Sequence, residues 1–137
     1  MEFLNIYKGK KVLITGHTGF KGAWLTIWLH ELGADVVGYS LDPLYDDGLY
    51  SLSNITSSIT DYREDLRDFS KLLDVFKKEK PEVVFHLGAQ ALVIDGYHTP
   101  LETFQTNTMG TTNVLEAILS SENSTLFGLK TFPCVAV

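Results

Sequence analysis

The sequence has almost no cysteine, since Cys134 is the single one among 137 residues. One cysteine cannot form a disulfide within the chain, which excludes a disulfide-stabilised secreted module and makes a reducing compartment the simplest expectation. The sequence also lacks an apolar run long enough to span a membrane, and its N-terminus lacks one of signal-peptide length. We therefore expect a cytoplasmic protein without a membrane partner.

An excess of positive charge is missing as well. Lysine and arginine together number 11 against 17 aspartates and glutamates, so the formal net charge is −6. Such a balance leaves no broad basic surface, and we expect no nucleic-acid partner. The four histidines do not have metal-ligand spacing with one another or with Cys134, so we expect no metal site.

What the sequence does have is an alternation of short apolar runs with helical segments, over a length typical of one domain. The pattern predicts strands at 11–15, 35–40, 57–65 and 82–89. It predicts helices from about Ala23 to Gly33, over 68–80, and over 100–119 with a bend at Gly110. Residues 41–54 indicate a loop with room for one short helical turn.

This alternation is typical of an α/β fold, namely a Rossmann-type doubly wound parallel sheet with right-handed crossovers. Such a sheet has its first strand in the middle, with the second and third strands on one side and the fourth and fifth on the other. The fifth strand would fall in 120–137, although Pro133 is a poor occupant of a central strand. We therefore expect the sheet to be truncated after about the fifth strand.

The stretch "TGHTGFKG" (15–22) joins the first strand to the first helix and places glycines at 16, 19 and 22. Backbone N–H groups at such a helix N-terminus favour a pyrophosphate, and the missing side chains let it approach closely. A glycine turn that only packs the helix on the strand is the competing interpretation. The strand–turn–helix context favours dinucleotide binding.

Three further residues are candidates near this loop. Lys21 could add positive charge near the phosphates, or be a solvated lysine. His17 is interpreted as a loop contact, because no acid that could pair with it is visible nearby in the sequence. Asp42 lies twenty residues beyond Gly22, where an acid binds the adenosine ribose hydroxyls and repels a 2′-phosphate, although turn chemistry before Pro43 would also explain it. An acid here favours NAD over NADP.

Together with "HLGAQ" and "PLETFQTNTMGTTNVLEA", the loop resembles the extended short-chain dehydrogenase/reductases, over about residues 8–119. Within them, the "GHTGFKG" form is most similar to the CDP-glucose 4,6-dehydratases. The resemblance implies that 1–137 is a single NAD-binding Rossmann-type domain, incomplete because the family's catalytic part and substrate domain are absent. It also implies a complete parent that is a lyase, acts on a nucleotide-activated hexose and forms a homodimer.

The resemblance further implies which residues contact NAD. Those for the pyrophosphate and the adenine are Gly16, Gly19, Phe20, Lys21 and Gly22, then Asp65 and Leu66. Those along the nicotinamide ribose are Leu87, Gly88, Ala89 and Gln90, with Asn107 propping the long helix against them.

Members of this family use a tyrosine and a lysine one helical turn apart, as Tyr-x-x-x-Lys, to remove the proton of a sugar hydroxyl. The chain contains one such string, Tyr7 to Lys11, but Gly9 interrupts it and it precedes the first strand. We therefore expect no catalytic residue in this chain. The family's serine and arginines near 90–100 are also replaced, with Asp95 and Gly96 in their place.

The expected function is accordingly that of the NAD-binding portion of a nucleotide-sugar 4,6-dehydratase, of the type that converts CDP-glucose to CDP-4-keto-6-deoxyglucose, inactive by itself. Two alternatives remain. One is a non-catalytic dinucleotide-binding module. The other is a part of a different extended short-chain enzyme, such as a nucleotide-sugar epimerase or reductase.

Overall fold

A single four-stranded parallel sheet organises the molecule. The structure, a computed structural model, describes residues 2–121. The strands are β1 (Lys11–Thr15), β2 (Asp35–Ser40), β3 (Thr60–Arg63) and β4 (Val83–His86). They lie in the order β3-β2-β1-β4, all parallel. The prediction of a Rossmann-like parallel sheet with a central first strand is confirmed for these four strands, while the expected fifth strand and Pro133 lie outside the described residues.

Helices connect the strands and cover both faces of the sheet. They are α1 (Phe20–Glu31), α2 (Leu49–Ser53), α3 (Phe69–Glu79), α4 (Val93–His98), α5 (Pro100–Phe104) and α6 (Gly110–Ser121). A π-helical turn, Gln105–Met109, joins α5 to α6, and 3-10 turns occupy Glu2–Tyr7 and Ile55–Ser58. No helix within residues 2–121 is long and apolar enough to cross a membrane.

Two apolar layers hold the sheet, because alternate side chains of a strand point to opposite faces. Leu13 of β1 packs into the layer formed with α3 and α6. Its neighbours Val12 and Ile14 pack into the opposite layer, with Leu29 of α1. All three β1 side chains are fully buried, as expected for the central strand of a sheet covered on both faces.

Three local predictions need correction. The third and fourth strands are shorter than 57–65 and 82–89, because the 3-10 turn Ile55–Ser58 precedes β3 and residues 87–89 already belong to the turn after β4. Helix α4 was not predicted, since it is only six residues long and contains Gly96. Gly110 has ordinary helical dihedral angles, and the irregularity is the π-helical turn that precedes it. The reason for a glycine at 110 is close packing, since a Cβ there would lie 3.2 Å from Cβ of Leu66.

Candidate functional site

The glycine loop between β1 and α1 is packed so closely at Gly16 and Gly22 that neither position has room for a side chain. Gly16 has a φ of +74°, and a Cβ there would lie 2.7 Å from the backbone nitrogen of Gly88. A Cβ on Gly22 would overlap the carbonyl oxygen of Gly16. Both clashes involve backbone atoms, which cannot rotate away. Gly16 and Gly22 therefore bring the backbone of the loop, the start of α1 and the turn after β4 into direct contact.

The first turn of α1 offers an anion site. A helix begins with N–H groups that have no partner inside the helix, and its dipole is positive at this end. Gly19 is the N-cap, and no side chain of the described residues caps the helix there. Phe20 and Lys21 are exposed, and the turn contains no acidic residue. The first turn of α1 therefore offers backbone N–H groups to an anion, with no acidic side chain of that turn opposing it.

His17 lies beneath the loop and is fully buried. Its Nε2 is 2.7 Å from Oδ1 of Asp61 on β3, and its ring meets Tyr50 edge-on. Because a carboxylate only accepts hydrogen bonds, Nε2 is the donor. Burial lowers the pKa of His17 against the opposing effect of Asp61. The histidine therefore has an acidic partner, contrary to the sequence expectation, and it ties the loop to β3.

Asp61 is shared between His17 and an arginine. Nε of Arg63 lies 2.9 Å from both carboxylate oxygens, and Nη2 lies 2.8 Å from Oδ2. Burial would raise the pKa of Asp61, but the hydrogen bonds from Arg63 and His17 outweigh it and hold that pKa below its usual value. The remaining nitrogen, Nη1, lies 3.3 Å from Oδ1 of Asp42. The acid predicted to bind a ribose is thus paired with an arginine that the sequence analysis did not single out.

The segment after β3 is fixed from two sides. The backbone carbonyl of Asp65 accepts from the hydroxyl of Tyr39 at 3.0 Å, and that of Leu66 accepts from the amide of Asn113 at 2.8 Å. The Asp65 carboxylate pairs with Arg67 at 2.6 Å, which lowers the pKa of the carboxyl. Asn113, on α6, was not among the predicted site residues, because no local pattern in the sequence marks it as a contact of this segment.

The turn after β4 is held by a buried threonine on β1. Oγ1 of Thr15 accepts from the backbone N–H groups of Leu87 and Gly88, both at 3.1 Å. The hydroxyl of Thr15 in turn donates to Nδ1 of His86, 2.6 Å away. Nδ1 therefore carries no proton, and the imidazole proton is on Nε2. Nε2 donates to Oγ1 of Thr111 at 2.9 Å. These hydrogen bonds need the His86 ring in its neutral form. Burial favours the same form, because it lowers the pKa of His86.

Asn107 reaches the same turn from the π-helical segment. Its Oδ1 accepts from the backbone nitrogen of Gln90 at 2.7 Å, and its Nδ2 donates to the Gln90 carbonyl at 3.0 Å. One side chain thus satisfies both backbone groups of Gln90. This fixes the turn, including the exposed Ala89, against the long helix.

The candidate residues converge on one edge of the sheet. The carboxyl ends of parallel strands meet at the same edge, and ligands of doubly wound sheets bind there. The residues that follow the strand ends are Gly16, His17, Gly19, Phe20, Lys21, Gly22, Asp42, Asp65, Leu66, Leu87, Gly88, Ala89 and Gln90. The backbone of Gly16 to Gly22 lies at this edge, where a phosphate group of a bound ligand would meet the N-terminus of α1.

Tyr7 and Lys11 are not part of this edge. Tyr7 ends a 3-10 turn and Lys11 opens β1, so the pair does not share a helix face and lies at the opposite edge of the sheet. Nζ of Lys11 is paired with Asp35 at 3.0 Å and with Glu79 at 3.2 Å. The pair is therefore not placed to act on a ligand at the glycine loop.

Comparisons with known proteins agree with this architecture. The family model described as GDP-mannose 4,6 dehydratase matches residues 13–129. A CDP-glucose 4,6-dehydratase of Salmonella typhimurium is 46% identical over 114 residues, which are 83% of this chain and 32% of that protein. A GDP-mannose 4,6-dehydratase of Vibrio cholerae is 35% identical, covering 86% of this chain and 34% of that protein.

Among solved structures, the UDP-glucose 4-epimerase of Thermus thermophilus in complex with NAD superposes with a TM-score of 0.72. It is 29% identical, and the match covers 81% of this chain and 34% of that one. The chain thus spans about a third of the length of these relatives. The chain belongs to the GDP-mannose 4,6-dehydratase family and is homologous to the N-terminal region of nucleotide-sugar 4,6-dehydratases and epimerases.

Proposed function

We propose that this chain is the NAD-binding portion of a nucleotide-sugar 4,6-dehydratase, of the type that converts CDP-glucose to CDP-4-keto-6-deoxyglucose. The observation that carries the proposal is the backbone cradle of Gly16 to Gly22, together with the turns after β2, β3 and β4 at the same edge of the sheet. The 46% identity to a CDP-glucose 4,6-dehydratase supports the choice of substrate. We also propose that the protein is cytoplasmic. Residues 1–137 would belong to a single NAD-binding domain.

Each part of the site has a role in binding the dinucleotide. The N-terminus of α1 holds the pyrophosphate, with Lys21 adding positive charge. Asp65 and Leu66 hold the adenine, and Asp42 faces the adenosine ribose. The turn from Leu87 to Gln90, fixed by Thr15 and Asn107, lies along the nicotinamide ribose.

When bound, NAD would accept a hydride from the sugar and return it later in the same reaction. In this proposal the described residues bind and orient the dinucleotide, and none of them is assigned the role of the base that removes the sugar hydroxyl proton. This chain alone is therefore expected to bind and not to turn over substrate.

A nucleotide-sugar epimerase is the second candidate, because the NAD-bound epimerase of Thermus thermophilus shares the fold closely. The dehydratase is favoured by the higher identity.

A homodimer of the complete protein is part of the proposal. Helices α4, α5 and α6 carry apolar side chains that the sheet does not cover. They are Val93, Ile94, Tyr97, Leu101, Phe104, Leu115 and Leu119. We call this set the outer helical face.

Calorimetric titration of the chain with ADP, NAD and CMP tests the nucleotide site. We expect ADP and NAD to bind with similar, weak affinity, because the described residues supply the adenosine half of the site. CMP, which has a phosphate but no adenine, is expected to bind at least several-fold more weakly than ADP. The proposal is contradicted if the folded chain binds neither ADP nor NAD, or if CMP binds as well as ADP. A sub-micromolar affinity for NAD, far above that for ADP, would show that the chain already holds the nicotinamide half.

A further inference from the structure

We propose that His17 is a positioning residue for the nucleotide site. Its buried ring anchors the glycine loop to Asp61 of β3, and this anchor holds the backbone N–H groups of the loop in place for a phosphate. Because His17 is fully buried, it acts through the loop and does not touch the ligand itself. This inference rests on the proposed nucleotide-binding function and names a residue that supports it from below.

The ring of His17 lies in a space that a glycine leaves open. Gly38 is inside β2, in register with Ile14 on one side and with Asp61 on the other. A Cβ at this position would lie 2.3 Å from Cδ2 of His17, so a larger residue would displace the ring. Glycine weakens the interior of a strand, and a close approach of this kind is one reason for it to occur there. Tyr50 packs edge-on against the same ring, with the ring centroids 5.2 Å apart.

The carboxylate that accepts from His17 is itself fixed. Nε2 of His17 donates to Oδ1 of Asp61 at 2.7 Å, and the Asp61 side chain is 13% exposed. Arg63 binds the same carboxylate through Nε, at 2.9 Å from both oxygens, and through Nη2 at 2.8 Å. A hydrogen bond to an ionised acceptor is stronger than one between neutral groups. Because Arg63 fixes the acceptor, the contact restrains the loop residue that donates to it.

The glycine loop depends on side-chain contacts for its shape, because glycine gives its backbone unusual freedom. Between Gly16 and Gly19 it has two side chains, those of His17 and Thr18. Oγ1 of Thr18 donates to the carbonyl of Leu41 at 3.0 Å, which ties the loop to the end of β2. His17 supplies a second tie, to β3. A loop already held in its bound shape loses less conformational entropy on binding, which favours affinity.

The test compares His17→Leu with His17→Gln. Leucine is apolar and has no donor for Asp61, whereas the glutamine amide carries an N–H donor the same number of bonds from the backbone as Nε2. We expect His17→Leu to bind ADP about tenfold more weakly than the unaltered chain, and His17→Gln to stay within about threefold of it. Calorimetry with ADP measures the affinities, on samples whose folded state is checked by circular dichroism.

Tyr62→Phe is the control for a loss of stability alone. Tyr62 follows Asp61 on β3 and packs into the opposite layer of the sheet, where its hydroxyl binds Glu79. Phenylalanine removes that hydrogen bond, so it should lower the free energy of unfolding without changing the affinity for ADP. A purely structural role of His17 would make the folded His17→Leu variant behave in the same way.

A second readout needs no variant. The contact with Asp61 requires the ring proton of His17 on Nε2, and Nδ1 has no hydrogen-bond partner among the described residues. Burial also lowers the pKa of His17, which favours the neutral ring. Nitrogen NMR of the labelled histidine rings in the unaltered chain at neutral pH should therefore show His17 neutral, with its proton on Nε2.

The inference is overturned if a folded His17→Leu binds ADP like the unaltered chain, if Tyr62→Phe weakens ADP binding as much, if His17→Gln binds as weakly as His17→Leu, or if the ring carries its proton on Nδ1. In each of these cases the unaltered chain still binds ADP, so the proposed function stands. Should His17→Leu not fold, the affinity of His17→Gln and the position of the ring proton decide. If the unaltered chain does not bind ADP, the proposed function fails and this inference fails with it.

Discussion

Gly22→Ala is expected to reduce the affinity for ADP and NAD by more than tenfold and to lower the free energy of unfolding by about 1–3 kcal/mol. The added methyl group would overlap the carbonyl oxygen of Gly16 and would lie 2.8 Å from Cα of His17. Because both neighbours are backbone atoms, the clash can be relieved only by moving α1 away from the loop. That movement separates the helix N-terminus from the glycine turn, and the backbone cradle for the pyrophosphate is lost.

Gly96→Ala provides the matched control. A methyl group on Gly96 would meet only the side chain of Thr103, at 3.7 Å and 3.8 Å, which is ordinary contact. Since Gly96 lies in α4, alanine should leave stability unchanged or raise it slightly. Calorimetry with ADP and thermal unfolding followed by circular dichroism measure both effects. If Gly22→Ala binds ADP like the unaltered chain, the loop is not the nucleotide site.

The outer helical face is expected to make the chain self-associate, and Leu101→Glu with Phe104→Glu should shift it towards monomer. The buried side chains of α6, such as Val114 and Ile118, face the sheet. Leu101 and Phe104 are 71% and 68% exposed. A few hundred Å² of such surface is worth several kcal/mol at about 25 cal/mol per Å². That amount is large enough to drive association and is comparable with the stability of a small domain.

Sedimentation over a concentration series measures this effect. Leu44→Glu with Leu52→Glu is the control, because both leucines are exposed outside the outer helical face. We expect the control to associate like the unaltered chain. A clean, folded monomer of the unaltered chain at high micromolar concentration would show that this face is not an interface. The apolar segment around Cys134, which could also drive association, lies outside the described residues.

The order of the strands could be predicted from the sequence because each strand has a local signal. The buried run 11–15, followed by a glycine turn and a helix, specifies the first unit of a doubly wound sheet, and right-handed crossovers then determine where the later strands lie. Elements shorter than two helical turns were not predictable in this way. Helix α4 has six residues, none of them buried, and the 3-10 turn Ile55–Ser58 buries only Ile55, so neither shows the apolar periodicity from which a helix is predicted.

Site residues that lie within one loop could also be predicted from the sequence. Side-chain contacts between residues on different strands and loops could not. Gly16 and Gly22 carry a local spacing signal, and the structure shows the close contact behind it. The contact of His17 with Asp61 joins residues 44 positions apart, and a single sequence contains no signal for it. The contact of Arg63 with Asp42 also joins residues far apart in the sequence. It shows that the acid expected to bind a ribose is paired with an arginine.

Amide NMR of the isotope-labelled chain, titrated with ADP, tests most directly whether the glycine loop is a nucleotide site. The account predicts that the largest shifts fall on the backbone N–H groups from Gly16 to Gly22, because these surround the phosphates, and on Asp65 and Leu66 beside the adenine. The amides at the opposite edge of the sheet, around Tyr7 and Lys11, should not move. Saturable shifts centred elsewhere, or none at ADP concentrations well above millimolar, would contradict the account.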